Sequence, residues 1–286
     1  MALIKWKNHH IEDVEVSLML NALKERYGYD FTGYARASLK RRLKELAKYF
    51  EVKRLSELLP ELLYNETVAQ TAINSISVPT SEFFRDAQVW KAVRDTILPS
   101  LTSFPRINIW QAGCGRGEET YTLAILLHEA GLLKKSRIFA SDINPSFLQD
   151  ARGGCWSRRN LASWRRNYQD AGGNGDFDGY FTERGDEIAV CDELKQSIEF
   201  VQHNLVEDEV FKEVQFVVCR NVLIYFGEAL QERALHLLAR SLERGGYLLL
   251  GFAEKIMELQ GKYPELEALD DNLHLYRKVI VGRHRV

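Results

Sequence analysis

A short apolar run ends in three glycines at alternate positions, Gly113, Gly115 and Gly117. Two acids, Glu118 and Glu119, come directly after the last glycine. A strand, a glycine turn and a helix N-terminus together form the nucleotide pocket of open α/β sheets. The dinucleotide fingerprint needs a glycine at position 118, and two carboxylates there would repel a pyrophosphate. A ligand with a positive centre and no phosphate fits better, and S-adenosylmethionine (SAM) has both properties. The alternative, which this motif alone favours less, is a plain strand-to-helix turn whose acids interact with the helix dipole.

Polar residues also follow the other predicted strands. Asp142 ends the second strand, 25 residues after Gly117, where an acid accepts hydrogen bonds from ribose hydroxyls. Asp142, aided by Asn144, could also cap the helix that starts near Pro145, and both roles can hold at once. Asn204 and Asn221 follow two further strands and have the donor and acceptor groups that read an adenine edge.

Two more side chains after the strand at 215–219 are candidates for contact with a second substrate. They are Arg220 and Tyr225. The alternative for Tyr225 is a core aromatic with a satisfied hydroxyl, the commoner fate of a tyrosine in an apolar stretch.

Composition excludes several classes of protein. The 286 residues allow one large domain or two, and the net charge of −2 argues against a general nucleic-acid binder. The four cysteines are widely spaced, so neither a zinc site nor a disulfide framework is predicted, and no metal site is expected. No apolar run approaches the length of a membrane span, and the start of the chain does not resemble a signal peptide. We therefore expect a cytoplasmic protein without direct membrane insertion.

The pattern of apolar residues changes near residue 106. Before it, amphipathic helices predict an all-α N-terminal domain over 1–77, joined by a linker and connecting helix over 78–105. After it, short apolar runs alternate with helices, which predicts a parallel sheet covered on both faces over 106–286. The predicted strands are 107–110, 137–141, 198–201, 215–219 and 247–252, with 275–281 as an edge strand.

A polar stretch at 156–195 interrupts this alternation and is too long for an ordinary loop. We interpret it as an insertion that contains a helix over 161–171 and a small antiparallel unit.

One face of the second predicted helix carries charge of a single sign, although the whole chain is slightly acidic. Its basic residues are Arg36, Lys40, Arg41, Arg42, Lys44 and Lys48, and the candidates for docking among them are Arg36, Lys40, Arg41 and Lys44. Such a face is usually only solvated, and the alternative is a docking surface for an acidic partner.

Several segments in order resemble those of bacterial chemotaxis-receptor methyltransferases of the CheR type. SLKRRL at 38–43 resembles the basic helix of the family's N-terminal domain, and TSEFFRD at 80–86 resembles its N-x-T-x-F-F-R-[DE] segment. QAGCGRGEETYTLA at 111–124 resembles its glycine loop, and FASDINPSFLQDAR at 139–152 and CRNVLIYF at 219–226 are similar almost letter for letter. The departures are Pro79 for Asn, Ser81 for Thr, Arg116 for Thr and Thr120 for Pro.

The resemblance implies a class I SAM-dependent methyltransferase fold, Rossmann-like, with a small inserted β-subdomain and an all-α domain before it. It implies methylation of glutamate side chains in the cytoplasmic helical region of chemoreceptors, with S-adenosylhomocysteine as the second product. The residues that match the family's cofactor-binding positions are Ser81, Arg85, Glu119, Asp142, Asn204, Leu205 and Asn221, and the glycine loop adds Gly113. Arg85 and Tyr225 match positions near the transferred methyl group.

Two other functions remain open from the sequence. One is a non-catalytic module of the same fold that docks a signalling protein, with or without SAM. The other is a methyltransferase that acts on a base or a small molecule, although an N-P-P-Y motif is missing, since Asn144–Pro145 continues as Ser146–Phe147. We expect a monomer that contacts a receptor, with a further regulatory protein as a possible partner.

Overall fold

The computed structural model describes residues 10–79, 81–210, 212–254 and 262–280. The chain divides into two compact units. Unit 1 contains Met1–Val78 and Tyr225–Leu230, and unit 2 contains Pro79–Ile224 and Gln231–Val286. Segment 225–230, which the sequence places in the methyltransferase domain, therefore groups with the N-terminal helices.

Unit 1 is helical. Its helices are α1 (Ile11–Tyr27), α2 (Arg36–Tyr49), α3 (Leu59–Tyr64) and α4 (Glu66–Ile76), with a 3-10 turn at Leu55–Leu58. α1 ends because Gly28 adopts a left-handed conformation with a φ of 79°. α4 begins where the Asn65 side chain accepts a hydrogen bond from the Thr67 amide. The apolar faces of these helices bury one core, which includes Leu20, Leu43 and Ile73.

Segment 225–230 is held in unit 1 by backbone and ring contacts. The Ala35 amide donates to the Tyr225 carbonyl at 2.8 Å, and the Gly227 amide donates to the Gly33 carbonyl at 2.9 Å. The rings of Tyr34 and Phe226 lie edge to face with centroids 5.0 Å apart. The segment is thus part of the packing of unit 1.

Unit 2 is built on a seven-stranded sheet of order β6-β2-β1-β7-β8-β10-β9. In chain order its elements are α5 (Ala87–Ala92), a π-helical stretch (Val93–Ile97), α6 (Leu98–Leu101), β1 (Ile107–Ala112), α7 (Glu118–Glu129), β2 (Ser136–Asp142), α8 (Pro145–Gly153), β3 (Cys155–Ser157), α9 (Leu161–Asp170), β4 (Phe181–Arg184), β5 (Glu187–Val190), α10 (Asp192–Lys195), β6 (Ile198–Gln202), β7 (Val214–Cys219), α11 (Glu228–Ser241), β8 (Leu242–Leu250), β9 (Leu266–Asp270) and β10 (Leu275–Lys278). The strand pairs among β6, β2, β1, β7 and β8 are parallel, which confirms the predicted α/β fold.

The insertion has its own three-stranded antiparallel sheet of order β3-β5-β4, with α9 between β3 and β4. The predicted helix and antiparallel unit are both present, and the sheet also takes in Cys155, one residue before the predicted start. Aromatic side chains fill its interior, including Trp156, Trp164 and Phe177.

The predicted edge strand at 275–281 is wrong in its position. β10 lies between β8 and β9, so β9 forms the edge of the sheet. β9 was missed because its sequence, LEALD, is short, and four of its five residues are partly or fully exposed to water. Val281, the last residue of the prediction, lies outside the described residues.

Candidate functional site

The glycine turn after β1 requires glycine for its backbone. The φ angles of Gly113, Gly115 and Gly117 are 74°, 53° and 95°, in the left-handed region that side chains disfavour. A Cβ at Gly113 would also lie 2.3 Å from a methyl carbon of Val222. The amides of Gly113 and Cys114 both donate to the Ser141 carbonyl at 2.8 Å, which ties the turn to the end of β2.

Asp142 joins this turn to the next one. Its Oδ2 accepts the Gly115 amide at 2.9 Å, and its Oδ1 accepts the Asn144 amide at 2.9 Å. The helix cap at α8 is Asn144, whose side chain accepts the Ser146 amide, so the alternative that Asp142 is the cap is wrong. The loss of water around the carboxylate raises the pKa of Asp142. Its role toward ribose stays a prediction.

Five of the predicted cofactor residues lie at one edge of the sheet. Gly113 follows β1, Asp142 ends β2, Asn204 and Leu205 follow β6, and Asn221 follows β7, and these four strands are parallel neighbours. Ligands of open α/β sheets bind at the carboxyl ends of the strands. Asn221 has a φ of 59°, in the left-handed region that asparagine adopts more readily than other non-glycine residues.

Asn204 is engaged by its own turn. Its Nδ2 donates to Glu207 at 2.8 Å, and its Oδ1 accepts the Val206 amide at 3.1 Å. Leu205 beside it is buried. The side chain of Asn204 therefore fixes the turn after β6, and adenine recognition by this residue stays a prediction.

The two acids after the glycines have different surroundings. Glu119 accepts hydrogen bonds from Gln111 at 3.0 Å and from Arg220 at 2.6 Å, and burial raises its pKa against the opposing effect of Arg220. Glu118 is also buried, and its Oε2 has no hydrogen-bond partner in the described part of the chain. Burial raises the pKa of Glu118 to about 7. Two buried carboxylates at a glycine turn fit a ligand with a positive charge and disfavour a phosphate.

Arg220 was predicted as a candidate for contact with the second substrate, and this prediction is wrong because Arg220 has a structural role. Its side chain is fully buried and forms ion pairs with Glu119 and Asp86. It also donates to the Arg85 carbonyl at 3.3 Å, and its guanidinium lies 5.4 Å from the Trp90 ring centroid. Arg220 thereby connects the end of β7, the start of α7 and the segment that carries Arg85.

The backbone around Arg85 is held in an unusual conformation. Phe84 and Asp86, on either side of it, have φ angles of 52° and 58°. The Trp90 indole donates to the Arg85 carbonyl at 2.8 Å. Such strained conformations persist only where the surroundings fix them, and they cluster at ligand sites.

Arg85 borders a cavity. The lining residues are Ser81, Glu82, Arg85, Asp86 and Asn167. Asn167 comes from α9 of the insertion, and its Nδ2 donates to the Phe83 carbonyl at 3.0 Å. The insertion thus forms one wall of this cavity, a role that the sequence did not indicate.

Phe83 and Phe84 pack against the insertion. The Phe83 ring lies 5.1 Å from Trp156 and 4.8 Å from Trp164, and the Phe84 ring lies 5.2 Å from Tyr168, all measured between centroids. These apolar contacts exclude water from the backbone beside Arg85.

The remaining predicted site residues lie in unit 1. The guanidinium of Arg42 lies 4.8 Å from the centroid of the Tyr225 ring. Arg42 is buried and donates to the Ser75 carbonyl at 3.2 Å, a role missed because its neighbours Lys40 and Arg41 suggested a solvated charge. The docking candidates Arg36, Lys40, Arg41 and Lys44 are on α2.

Metal-binding clusters and membrane-spanning helices are both missing from the part of the chain that the structure describes. No group of acidic, histidine or cysteine side chains there could hold a metal ion. No helix there is both long and apolar enough to span a membrane.

Comparison with known proteins identifies relatives along most of the chain. The model of the CheR methyltransferase SAM-binding domain matches residues 79–269, and that of the CheR methyltransferase all-alpha domain matches residues 15–77. The putative methyltransferase Cher3 of Pseudomonas putida is 40% identical over 244 residues, which cover 85% of this chain and 89% of the relative. Chemotaxis protein methyltransferase 1 of Vibrio cholerae is 31% identical over 236 residues, which cover 78% and 82%. The chemotaxis protein methyltransferase of Listeria monocytogenes is 29% identical over 237 residues, which cover 82% and 87%.

Proposed function

Because the chain belongs to the CheR methyltransferase family and has its SAM-binding and all-alpha domains, we propose that it methylates glutamate side chains of bacterial chemoreceptors. The products are glutamate methyl esters and S-adenosylhomocysteine. SAM is the methyl donor of this methyltransferase. The relatives from Vibrio cholerae and Listeria monocytogenes are named chemotaxis protein methyltransferases, which supports a role in sensory adaptation.

The cavity beside Arg85 is the observation that carries the proposal. The guanidinium of Arg85 is suited to a carboxylate, which it binds through charged hydrogen bonds. The lining also contains the acids Glu82 and Asp86, and Asp86 is already paired with Arg220. The backbone of Arg85 is fixed through its carbonyl, which accepts from both Trp90 and Arg220. Arg85 therefore presents its charge from a rigid support, as orientation of a substrate requires.

The chemistry needs little beyond orientation. SAM supplies a methyl group on a positively charged sulfur, and a glutamate carboxylate is already ionised at pH 7. No general base is required. Because a cation and an anion give neutral products, removal of water from both reactants favours the transfer. The aromatic contacts of Phe83 and Phe84 keep water from the backbone beside Arg85.

Arg85 orients the glutamate in this proposal, since a very strong ion pair would weaken the carboxylate as a nucleophile. Tyr225 is proposed as a second methyl-proximal residue from its match to the family motif. Asp142 is proposed to hold the SAM ribose, and Ser81, Gly113, Glu119, Asn204, Leu205 and Asn221 are proposed to complete the cofactor site.

The basic residues of α2 are proposed to dock the substrate. The cytoplasmic region of a chemoreceptor that carries methylated glutamates is helical and acidic, and Arg36, Lys40, Arg41 and Lys44 supply charge of the opposite sign.

A transfer assay tests the reaction. Bacterial membranes rich in chemoreceptors are incubated with tritium-labelled SAM and the protein, and the labelled receptor is then treated with mild base. We expect labelled receptor whose label is released by base, because carboxyl esters hydrolyse and methylated amines do not. R85A should lose most of the signal, while R166A, at an exposed arginine of α9, should retain it.

Two results would contradict the proposal. Label that survives mild base would identify amine methylation. A folded protein that binds SAM and labels no receptor would instead be a non-catalytic docking module or a methyltransferase of another substrate.

A further inference from the structure

The basic face of α2 is partly occupied by α1. Lys40 Nζ lies 2.6 Å from Asp13 Oδ1, and Lys44 Nζ lies 2.5 Å from Glu12 Oε1. Arg36 donates to Ser17 Oγ at 2.6 Å. Three of the four docking residues therefore already have a partner on the neighbouring helix, and Arg41 is exposed.

These contacts are open to exchange. The exposed fractions of the side chains are 29% for Lys40, 59% for Lys44, 39% for Asp13 and 37% for Glu12. Exposed ion pairs add little to stability, so opening them costs little. Hydrogen bonds from Lys44 and Lys40 lower the pKa of Glu12 and of Asp13, respectively, so both acids are ionised at neutral pH.

We propose that Glu12 and Asp13 occupy the positions that carboxylates of an acidic receptor helix take on α2, so that docking exchanges internal ion pairs for external ones. The inference rests on the proposed function for the identity of the partner. The docking surface is then a cationic face whose charge is half neutralised by acids of the same chain. Receptor carboxylates then compete with Glu12 and Asp13 for Lys44 and Lys40.

Exchange has a distinct dependence on salt. When one carboxylate replaces another, the number of ion pairs hardly changes, and added salt screens both sides of the equilibrium. When the internal acids are removed, each new contact with the partner adds an ion pair, so binding becomes tighter and more sensitive to salt. An exposed pair corresponds to roughly a twofold to fivefold change in affinity, so two pairs give roughly 4- to 25-fold.

A binding titration tests the exchange without methyl transfer. The probe is a synthetic alanine-rich helical peptide with glutamates spaced i, i+4, labelled for fluorescence anisotropy and titrated at low and high salt. The proteins are wild type, E12Q/D13N and the control E25Q. Glu25 is an exposed acid near the other end of α1, 12 residues from Asp13, about 18 Å along the helix and beyond the Debye length.

The double variant should bind the peptide more tightly at low salt and lose that advantage at high salt, while E25Q matches wild type. Fraying of the first turn of α1 in the variant would also release both lysines, so the expected gain does not depend on that turn staying folded. Equal affinities for wild type and E12Q/D13N would overturn the inference. An equal gain in E25Q would also overturn it, since net charge alone would then explain the effect.

The titration and the transfer assay fail independently. If wild type methylates receptors and the double variant shows no gain, the exchange is refuted and the proposed function stands. If wild type labels no receptor but the double variant binds the acidic peptide more tightly, the exchange stands and the proposed function is refuted.

Discussion

Glu254 is the residue whose ionisation should most clearly affect stability. It is 2% exposed, and its Oε1 accepts the Val222 amide at 2.9 Å. Its Oε2 has no hydrogen-bond partner among the residues that the structure describes. Burial raises the pKa of Glu254 from the ordinary 4.5 to about 7. The substitution E254Q keeps an acceptor for Val222 and removes the ionisation.

The sign of the effect follows from the raised pKa. The folded protein disfavours the ionised form, so the stability that Glu254 contributes is fully present below pH 4.5 and is lost as pH rises through about 7. The difference between those two pKa values corresponds to about 3 kcal/mol in the free energy of unfolding. E254Q should therefore gain stability relative to wild type by about 2–3 kcal/mol between pH 4.5 and pH 8.

Urea unfolding of both proteins across that pH range measures this difference. Glu118, whose pKa burial also raises to about 7, is present in both proteins, so its effect cancels in the comparison. E199Q is the control, because Glu199 is exposed on β6 and lacks the burial that causes the effect. A difference between E254Q and wild type that stays constant with pH would refute the reasoning.

Three further predictions concern function. D142A should weaken SAM binding by about 1.5–3 kcal/mol in calorimetry, because the ligand loses a charged acceptor and the Gly115 amide loses its hydrogen bond to Asp142. Unchanged affinity in a folded variant would show that Asp142 does not bind SAM. R85A and Y225F should reduce turnover by a larger factor than SAM affinity in single-turnover assays, and full turnover at saturating receptor would refute either role. K40E/R41E should raise the apparent KM for receptor and leave the Kd for SAM unchanged. If this variant has the same KM as wild type at both low and high salt, the α2 face is merely solvated.

The sequence predicted the architecture well because local patterns determine it. The alternation of apolar runs and amphipathic helices placed the five parallel strands, and the spacing of the glycines predicted the turn after β1. Asp142 and Asn221 were placed correctly at the carboxyl ends of strands, since order along the chain fixes that edge.

The partners of charged side chains were not predictable, because they depend on tertiary packing. Arg220 follows a strand as a substrate residue would, yet it is buried between Glu119 and Asp86. Lys40 and Lys44 form part of a basic pattern, but their pairing with α1 depends on the angle at which two helices meet. No local signal in the sequence distinguishes these cases.

Segment 225–230 has a consequence for module exchange between relatives. Ala35, Tyr34 and Gly33 contact Tyr225, Phe226 and Gly227, so the helical unit is assembled from two stretches that are far apart in the chain. A chimaera that takes only the first 78 residues from another member would join foreign helices to a native segment. Residues 225–230 would have to be transplanted together with the first 78 residues. Inheritance of the two units is thereby coupled, and substitutions around residue 34 and around residue 226 should accumulate together during divergence.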